Sequence, residues 1–115
     1  MEREKVYKVV TTQPAKNRYQ ETVLPYIFEN FSFERATEID DNILIFAETL
    51  EKKPNRGTVE KYLIEAKEEF KFILYKETKY FEIKIIYFIK EDEGTIYITD
   101  FFPTRKNPLR ISGNI

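Results

Sequence analysis

Residues 80–90 read YFEIKIIYFIK, and their alternation is the feature from which the predicted sheet is built outward. Successive side chains of a strand point to opposite faces, so the alternation predicts a strand with one apolar face. That face consists of Phe81, Ile83, Ile85, Tyr87 and Ile89. The other face is polar where the strand begins and apolar where it ends, in the order Glu82, Lys84, Ile86 and Phe88. We interpret this change as a sign that something other than solvent covers one end of the second face.

Further strands are predicted on both sides of this stretch. Alternation from Phe70 to Lys76 predicts the strand before it, and the turn Glu77-Thr78-Lys79 joins the two. Glu91-Asp92-Glu93-Gly94 predicts a hairpin loop, which leads to a last strand from Thr95 to Phe102. A shorter apolar run predicts one more strand from Glu60 to Ala66. The second half of the chain therefore predicts three or four antiparallel strands.

The first half of the chain predicts one strand followed by a helix. The strand runs from Glu4 to Thr12, and Pro14 with the preceding threonines favours a helix start. The helix is predicted from about Ala15 to Asn30, with a kink or break at Pro25. Its apolar residues, near helical period, are Ala15, Tyr19, Val23, Tyr26 or Ile27, and Phe31.

A second helix completes a helical hairpin. It is predicted from about Phe33 to Lys52, with Ser32 as its N-cap, and Pro54-Asn55-Arg56-Gly57 ends it. Its apolar stripe consists of Ala36, Ile39, Ile43, Leu44, Phe46, Ala47 and Leu50. We therefore expect one α+β domain over residues 1–115, in which a strand, a two-helix hairpin and three or four antiparallel strands form a twisted sheet packed on the helices.

The composition is that of one globular domain, with 115 residues of which 42% are hydrophobic and 34% charged. No apolar run approaches the roughly 20 residues of a membrane span, and the charged start Met1-Glu2-Arg3-Glu4-Lys5 has no signal-peptide core behind it. We therefore expect a cytoplasmic protein without membrane partners. Cysteine and histidine are absent, which excludes disulfides, thiolate chemistry and histidine-based triads. We expect no metal and no cofactor.

Charge is segregated along the chain although the net charge is only −1. Residues 21–51 carry eight acids against Arg35 alone, whereas no acid follows Asp100. The basic residues Arg105, Lys106 and Arg110 occupy that end, and Pro103 and Pro108 keep it from continuing as a ladder strand or helix. A basic segment at the edge of a sheet suggests a surface for an anionic partner, and a solvated tail is the alternative.

Several short pieces, in their order and spacing, carry a family resemblance. They are Val6-Tyr7-Lys8-Val9-Val10, Leu24-Pro25-Tyr26-Ile27, Lys53-Pro54-Asn55-Arg56-Gly57, Phe70-Lys71-Phe72-Ile73-Leu74-Tyr75 and Thr104-Arg105-Lys106-Asn107-Pro108. Together they resemble the RelE/ParE toxins of bacterial type II toxin–antitoxin systems. The resemblance implies a small sheet on a helical hairpin, and a cognate antitoxin that wraps the toxin with a helix or strand. It also implies one of two targets, DNA gyrase for ParE-like members or mRNA in the ribosomal A site for RelE-like members.

The ribonuclease residues of RelE-like members transfer to this chain only in part. Arg105 matches the arginine that they carry after the last strand. The arginine that they carry three residues before the tyrosine of the central strand corresponds to Phe72, with Lys71 beside it. Their C-terminal tyrosine has no counterpart in Leu109-Arg110-Ile111-Ser112. A ribonuclease would thus use Arg105 and Lys71, whereas ParE-like toxins need no such constellation. We expect a ParE-like growth inhibitor, with a ribosome-dependent ribonuclease or an inactive antitoxin-bound relative as alternatives.

The candidate target-binding residues are cations and one tyrosine. They are Lys52, Lys53, Arg56, Tyr75, Arg105, Lys106 and Arg110. The first three also lie where cations complement the dipole of a helix C-terminus, which is the structural alternative. Among the aromatic residues, most of which are expected in the core, Tyr75 and Tyr97 are the best candidates for exposure.

Two further features of the sequence, an apolar group near the end of the sheet and an acidic run, each allow two interpretations. Ile86, Phe88 and Phe102 are expected either beneath a bound antitoxin or beneath the termini of the chain itself. The acidic run Glu91-Asp92-Glu93 has the ligands of a hard cation, but the polar tip of a hairpin is the interpretation that we favour.

Overall fold

The computed structural model describes residues 5–105 and places them in a five-stranded mixed sheet packed on a helical hairpin, which confirms the predicted α+β class. The strands and helices are β1 (Lys8–Thr11), α1 (Gln13–Arg18), α2 (Leu24–Asn30), α3 (Phe33–Glu48), β2 (Thr58–Val59), β3 (Lys71–Thr78), β4 (Phe81–Lys90) and β5 (Thr95–Pro103). A π-helical turn, Tyr19–Val23, joins α1 to α2, and single 3-10 turns occupy Thr49–Glu51, Pro54–Arg56, Lys61–Leu63 and Glu91–Glu93.

The sheet has the strand order β1-β5-β4-β3-β2. Strands β2 to β5 pair antiparallel, and for β3, β4 and β5 this confirms the prediction. Strand β1 lies parallel to β5, from Lys8 opposite Thr95 to Thr11 opposite Ile98. Strand β4 is therefore central, with long partners on both sides, and its two faces set what packs above and below the sheet.

Both helices of the hairpin begin where their capping residues predict. The Thr12 hydroxyl accepts the Ala15 N–H at 3.4 Å, and the Ser32 hydroxyl accepts the Arg35 N–H at 3.1 Å. The predicted break at Pro25 is a π turn, in which the Leu24 N–H bonds to the carbonyl of Tyr19. Proline has no N–H to donate, and in a regular α-helix its ring would clash with the carbonyl of Glu21, so the helix widens just before it.

The main core lies between the helices and the first face of β4. The predicted helix stripes are buried except for Leu44, which is 43% exposed, and Phe46, Tyr26 and Phe31, which are half-buried at the core edge. The sheet contributes Ile73, Phe81, Ile83, Ile85, Tyr87, Ile96, Ile98 and Phe101. Among residues 5–105, no helix is long and apolar enough to cross a membrane.

The predicted strand from Glu60 to Ala66 is wrong. Pairing with β3 covers only Thr58 and Val59, after which the chain makes a 3-10 turn. The reason is Glu60, whose side chain turns inward and is fully buried. Its carboxylate accepts the Tyr62 N–H at 3.2 Å and the Lys84 ammonium at 3.0 Å, which bends the backbone out of the extended form. A bond of 2.9 Å from the Glu60 N–H to the Phe70 carbonyl closes residues 60–70 into a loop, here called the covering loop.

The covering loop explains the apolar end of the second face of β4. A second core cluster consists of Phe70, Ile86, Phe88 and Phe102, with Leu63, Phe72 and Tyr97 packed against it. Ile86, Phe88 and Phe102 are at most 1% exposed. The prediction that this end is covered is confirmed. The expectation of apolar surface left for an antitoxin here is wrong, because the covering loop, which is not a terminus, fills the position with its own side chains.

Two buried tyrosines predict an alkaline limit to stability. Burial raises the pKa of Tyr87 above its usual 10.0, and burial with a hydrogen bond to Asp40 raises the pKa of Tyr19 further. The unfolded chain ionises these phenols near pH 10, whereas the folded chain holds them protonated. Stability is therefore fully present below pH 10 and lost as pH rises through the folded pKa values.

We expect the free energy of unfolding, measured with urea, to fall steadily from about pH 10 to pH 11.5. The slope against pH should be smaller in Tyr19→Phe and in Tyr87→Phe, since each removes one ionising group. Slopes equal to that of the unmodified chain in both variants would contradict the assignment of the effect to these residues.

Candidate target-binding site

Arg105 lies just beyond the end of β5, next to the turn between β3 and β4. The Thr104 N–H bonds to the Glu82 carbonyl at 3.1 Å, which fixes the chain there as it leaves the sheet. The exposed Arg105 guanidinium lies over the ring of Tyr80, 5.3 Å from its centroid. The Lys79 ammonium lies 5.0 Å from the same centroid. Tyr80 is thus an exposed ring, 57% accessible, with two cations beside it.

A pocket of about 240 Å³ opens beside this ring, between the sheet and α2. It is lined by Thr22, Tyr26, Tyr80, Phe81, Glu82, Pro103 and Arg105, and we call it the Arg105 pocket. The Tyr26 ring stacks on Phe81 with centroids 4.9 Å apart and planes 18° from parallel. The walls of the Arg105 pocket are therefore aromatic. The charged residues that line it are Arg105 and Glu82, and Lys79 lies nearby.

Lys106 and Arg110, the other two predicted cations of this end, lie outside the described residues. The pocket still brings Arg105 together with residues that the sequence did not single out, above all Tyr80 and Tyr26. Tyr80 was interpreted as the first residue of a strand, although its place in a turn after Lys79 was a sign of exposure. Tyr26 was assigned to the helix stripe, and it does pack on the core while one side lines the pocket.

Lys52, Lys53 and Arg56 do come together, at the end of α3. They line an open depression of about 450 Å³ together with Ile45 and three side chains of the last helical turns, Glu48, Thr49 and Glu51. The Arg56 guanidinium is held here, because it donates to the Thr49 hydroxyl and lies 4.7 Å from the centroid of the Phe46 ring. Because two glutamates lie beside the three cations, this surface carries both positive and negative charge.

Lys71 and Tyr75, the predicted residues of β3, point toward the helix side of the sheet with Ile73. The Lys71 ammonium lies 3.5 Å from the Asn55 side-chain oxygen and 4.0 Å from the Glu69 carboxylate, and the side chain is 18% exposed. The Tyr75 ring meets the edge of Phe46 at 5.7 Å, and its hydroxyl donates to Glu77 at 2.5 Å. Burial raises the pKa of Tyr75. Both side chains are thus engaged with neighbours rather than presented to a target.

Tyr97 is half-buried on the opposite face. It stacks on Phe88 with centroids 5.3 Å apart, and its hydroxyl donates to Glu93 at 2.6 Å.

The neighbouring run from Glu91 to Glu93 is the tip of the β4–β5 hairpin, which is one of its two predicted interpretations. Glu91 accepts from the Tyr7 hydroxyl at 2.8 Å and from Lys5 at 3.3 Å, and Gly94 ends the turn with a φ of 59°. Among residues 5–105, no group of three acidic side chains is placed to hold a metal ion.

Arg105 and Lys71 lie at opposite ends of the sheet. The register places Lys71 opposite Tyr87 of β4, whereas the segment of Arg105 is bonded to Glu82. Five residues of strand separate these positions, which at about 3.3 Å per residue is roughly 17 Å. One phosphodiester cannot be contacted by both side chains over that distance. The two residues proposed for catalysis therefore do not form one site in this arrangement.

Two ion pairs that the sequence did not reveal lie on the second face, each with a buried carboxylate and a partly exposed cation. The Glu60–Lys84 pair has an N–O distance of 3.0 Å, and the Arg18–Asp100 pair has the same distance, with Asp100 only 1% exposed. The Lys84 ammonium also lies 4.4 Å from the centroid of Phe72. These charges tie the covering loop and α1 to the sheet.

No protein-family model, curated protein or solved structure matches this chain. The interpretation of its function therefore depends on the fold and on the geometry of the residues described above.

Proposed function

We propose that this chain is a growth-inhibiting toxin of the RelE/ParE type that acts in the cytoplasm by binding a macromolecular target such as DNA gyrase. The order of one strand, a helical hairpin and an antiparallel meander supports this proposal, since it is the arrangement that the resemblance implies. A cognate antitoxin is the partner that such a toxin requires. The growth inhibitor itself needs no cofactor.

The observation that carries the choice of binding over cleavage is the separation of Arg105 from Lys71. A ribonuclease without histidine needs cations gathered around one phosphate and a group that moves a proton. Here Lys71 lies near Asn55 and Glu69, about five strand residues away from the end where Arg105 lies. The Arg105 pocket, in contrast, offers an exposed ring, a cation and an apolar recess at one place, which suits recognition of another molecule's surface.

The test is induced expression of the chain alone in bacteria, with growth, mRNA integrity and gyrase supercoiling measured. We expect growth arrest with intact mRNA, and inhibition of supercoiling by the purified chain. Arg105→Ala should relieve the arrest, because it removes the cation of the pocket. Lys71→Ala is the matched control, a cation on the same sheet but outside the pocket, and it should arrest growth like the unmodified chain.

Other outcomes would contradict the proposal in distinct ways. Cleaved mRNA that depends on both Arg105 and Lys71 would establish a ribosome-dependent ribonuclease. Arrest with intact mRNA and normal supercoiling would retain a binding toxin but exclude gyrase as its target. Absence of arrest, with soluble folded protein present in the cells, would leave an inactive relative that an antitoxin only binds.

A further inference from the structure

We propose that the Arg105 pocket receives one aromatic side chain of a partner protein, flanked in that partner by acidic residues. This inference rests on the proposed function, because it specifies how a toxin that works by binding would hold its target.

The size of the pocket fits a side chain rather than a cofactor. Pockets for drug-sized ligands and cofactors occupy roughly 300–1,000 Å³, and this one measures about 240 Å³. Such a space admits a single indole or phenol ring. Protein interfaces commonly gain most of their affinity from a few aromatic residues that enter pockets of this kind.

The walls of the pocket favour an aromatic ring over an aliphatic group. The stacked pair of Tyr26 and Phe81 forms one wall, and Tyr80 forms another. Aromatic rings gain from offset stacked or edge-to-face contact with one another beyond the area that they bury. Tyr80 is 57% exposed in the absence of a partner, so part of its ring remains available for such a contact.

The charges at the pocket select a protein with acidic residues and disfavour nucleic acid. Arg105 and Lys79 lie over the same Tyr80 ring, and a carboxylate next to the entering aromatic residue would pair with them. A nucleic acid site needs a row of cations along a phosphate backbone. Here two cations, Arg105 and Lys79, lie at the pocket among the described residues, which suits one or two carboxylates but not a row of phosphates.

The test uses the fluorescence of tryptophan, which this chain lacks. The probe is the peptide acetyl-Asp-Glu-Trp-Glu-Asp-amide, titrated with the full-length chain while the anisotropy of its indole is followed. We expect saturable binding with a Kd of about 1 mM or tighter, as for a single anchor residue. Tyr80→Ala and Arg105→Ala should each weaken binding at least about tenfold, and replacing the four acids of the peptide with lysine should do the same.

Tyr62→Ala is the matched control. Tyr62 is 44% exposed and also has a lysine over its ring, Lys61 at 5.4 Å, but it does not line the Arg105 pocket. Its replacement should leave the Kd unchanged. Equal weakening in Tyr62→Ala and Tyr80→Ala, an anisotropy change that stays linear up to about 5 mM chain, or displacement of the peptide by adenosine monophosphate would each overturn the inference. The last result would indicate a base-stacking site.

Failure of this inference is distinguishable from failure of the proposed function. If the peptide binds as expected but expression of the chain leaves growth unaffected, the pocket is a protein-binding site of a chain that is not a toxin. If expression arrests growth and Tyr80→Ala arrests it equally, the chain is a toxin whose target is held elsewhere. Circular dichroism of each variant, compared with the unmodified chain, ensures that only folded proteins are compared.

Discussion

Replacing Lys84 with methionine is expected to lower the free energy of unfolding by about 3 kcal/mol, which is a large fraction of the roughly 5–15 kcal/mol typical of a domain. Methionine keeps an unbranched apolar side chain at this position but removes the ammonium that pairs with Glu60 and lies over Phe72. The Glu60 carboxylate is fully buried, so the variant leaves an uncompensated charge in the second core. Removing one partner of such a pair commonly costs about 3–5 kcal/mol. We choose the lower end because Lys84 itself is 19% exposed, so water reaches the pair.

Lys90→Met is the control for this prediction. Lys90 also lies on β4 and also pairs with the covering loop, but its partner Glu68 is 3.8 Å away and both side chains are about a third exposed. Its loss should therefore cost below about 1 kcal/mol. The double variant Lys84→Met with Glu60→Gln should recover most of the stability, because it removes both charges and the amide oxygen can still accept the Tyr62 N–H. A urea midpoint for Lys84→Met no lower than that for Lys90→Met would contradict the prediction.

The elements predicted correctly from the sequence are those with local causes. The helices begin at Thr12 and Ser32 because each residue caps its own first turn, and Pro25 changes the helix at its own position. The meander of β3, β4 and β5 follows from alternation within each strand and from polar turns between neighbours in sequence. Each of these signals lies within a few residues of its effect.

The elements that could not be predicted depend on contacts between distant parts of the chain. The covering loop bends because Lys84, 24 residues away, holds Glu60 inside the protein. Nothing in residues 60–66 distinguishes that glutamate from an exposed one. The parallel pairing of β1 with β5 likewise joins residues 87 positions apart, from Lys8 to Thr95.

For the same reason, only part of the candidate site could be predicted from the sequence. Arg105 was identified because the change from acidic to basic residues around it is visible in the sequence. The pocket beside it takes its walls from α2, from the β3–β4 turn and from β5, so its shape exists only after folding. Tyr75 was expected to be exposed. It lies two residues after Ile73, however, and side chains two apart in a strand share a face, so Tyr75 belongs with the 6% exposed Ile73 on the core face. The two-residue spacing from Ile73 was the sequence signal that would have identified Tyr75 as half-buried.

Gly57→Ala is expected to lower the free energy of unfolding by about 3 kcal/mol for a purely steric reason. Gly57 has φ −74° and ψ 163°, which alanine adopts freely, so the backbone imposes no penalty. An added Cβ would overlap the Tyr87 hydroxyl and lie 2.9 Å from the Phe72 carbonyl oxygen. That hydroxyl donates to the Pro54 carbonyl at 2.6 Å and accepts the Gly57 N–H at 3.1 Å. Displacing it loses both bonds and forces the chain away from β3, and overpacking of a filled site alone costs about 1–3 kcal/mol.

A double-mutant cycle with Tyr87→Phe isolates this clash. Tyr87→Phe alone should cost about 1–2 kcal/mol, since it leaves the buried Pro54 carbonyl without its donor. In that background, Gly57→Ala should cost only about 1 kcal/mol, because the hydroxyl is gone and only the contacts with the Phe72 carbonyl and with ring carbon Cε1 of residue 87 remain. Gly94→Ala provides the contrast, because an added Cβ there meets nothing within 4 Å and its cost comes from the φ of 59°. That cost should be the same with or without Tyr87→Phe. Strict additivity of Gly57→Ala and Tyr87→Phe would mean that the hydroxyl is not what the glycine makes room for, and the close packing of the Pro54–Gly57 turn against β4 would then need another explanation.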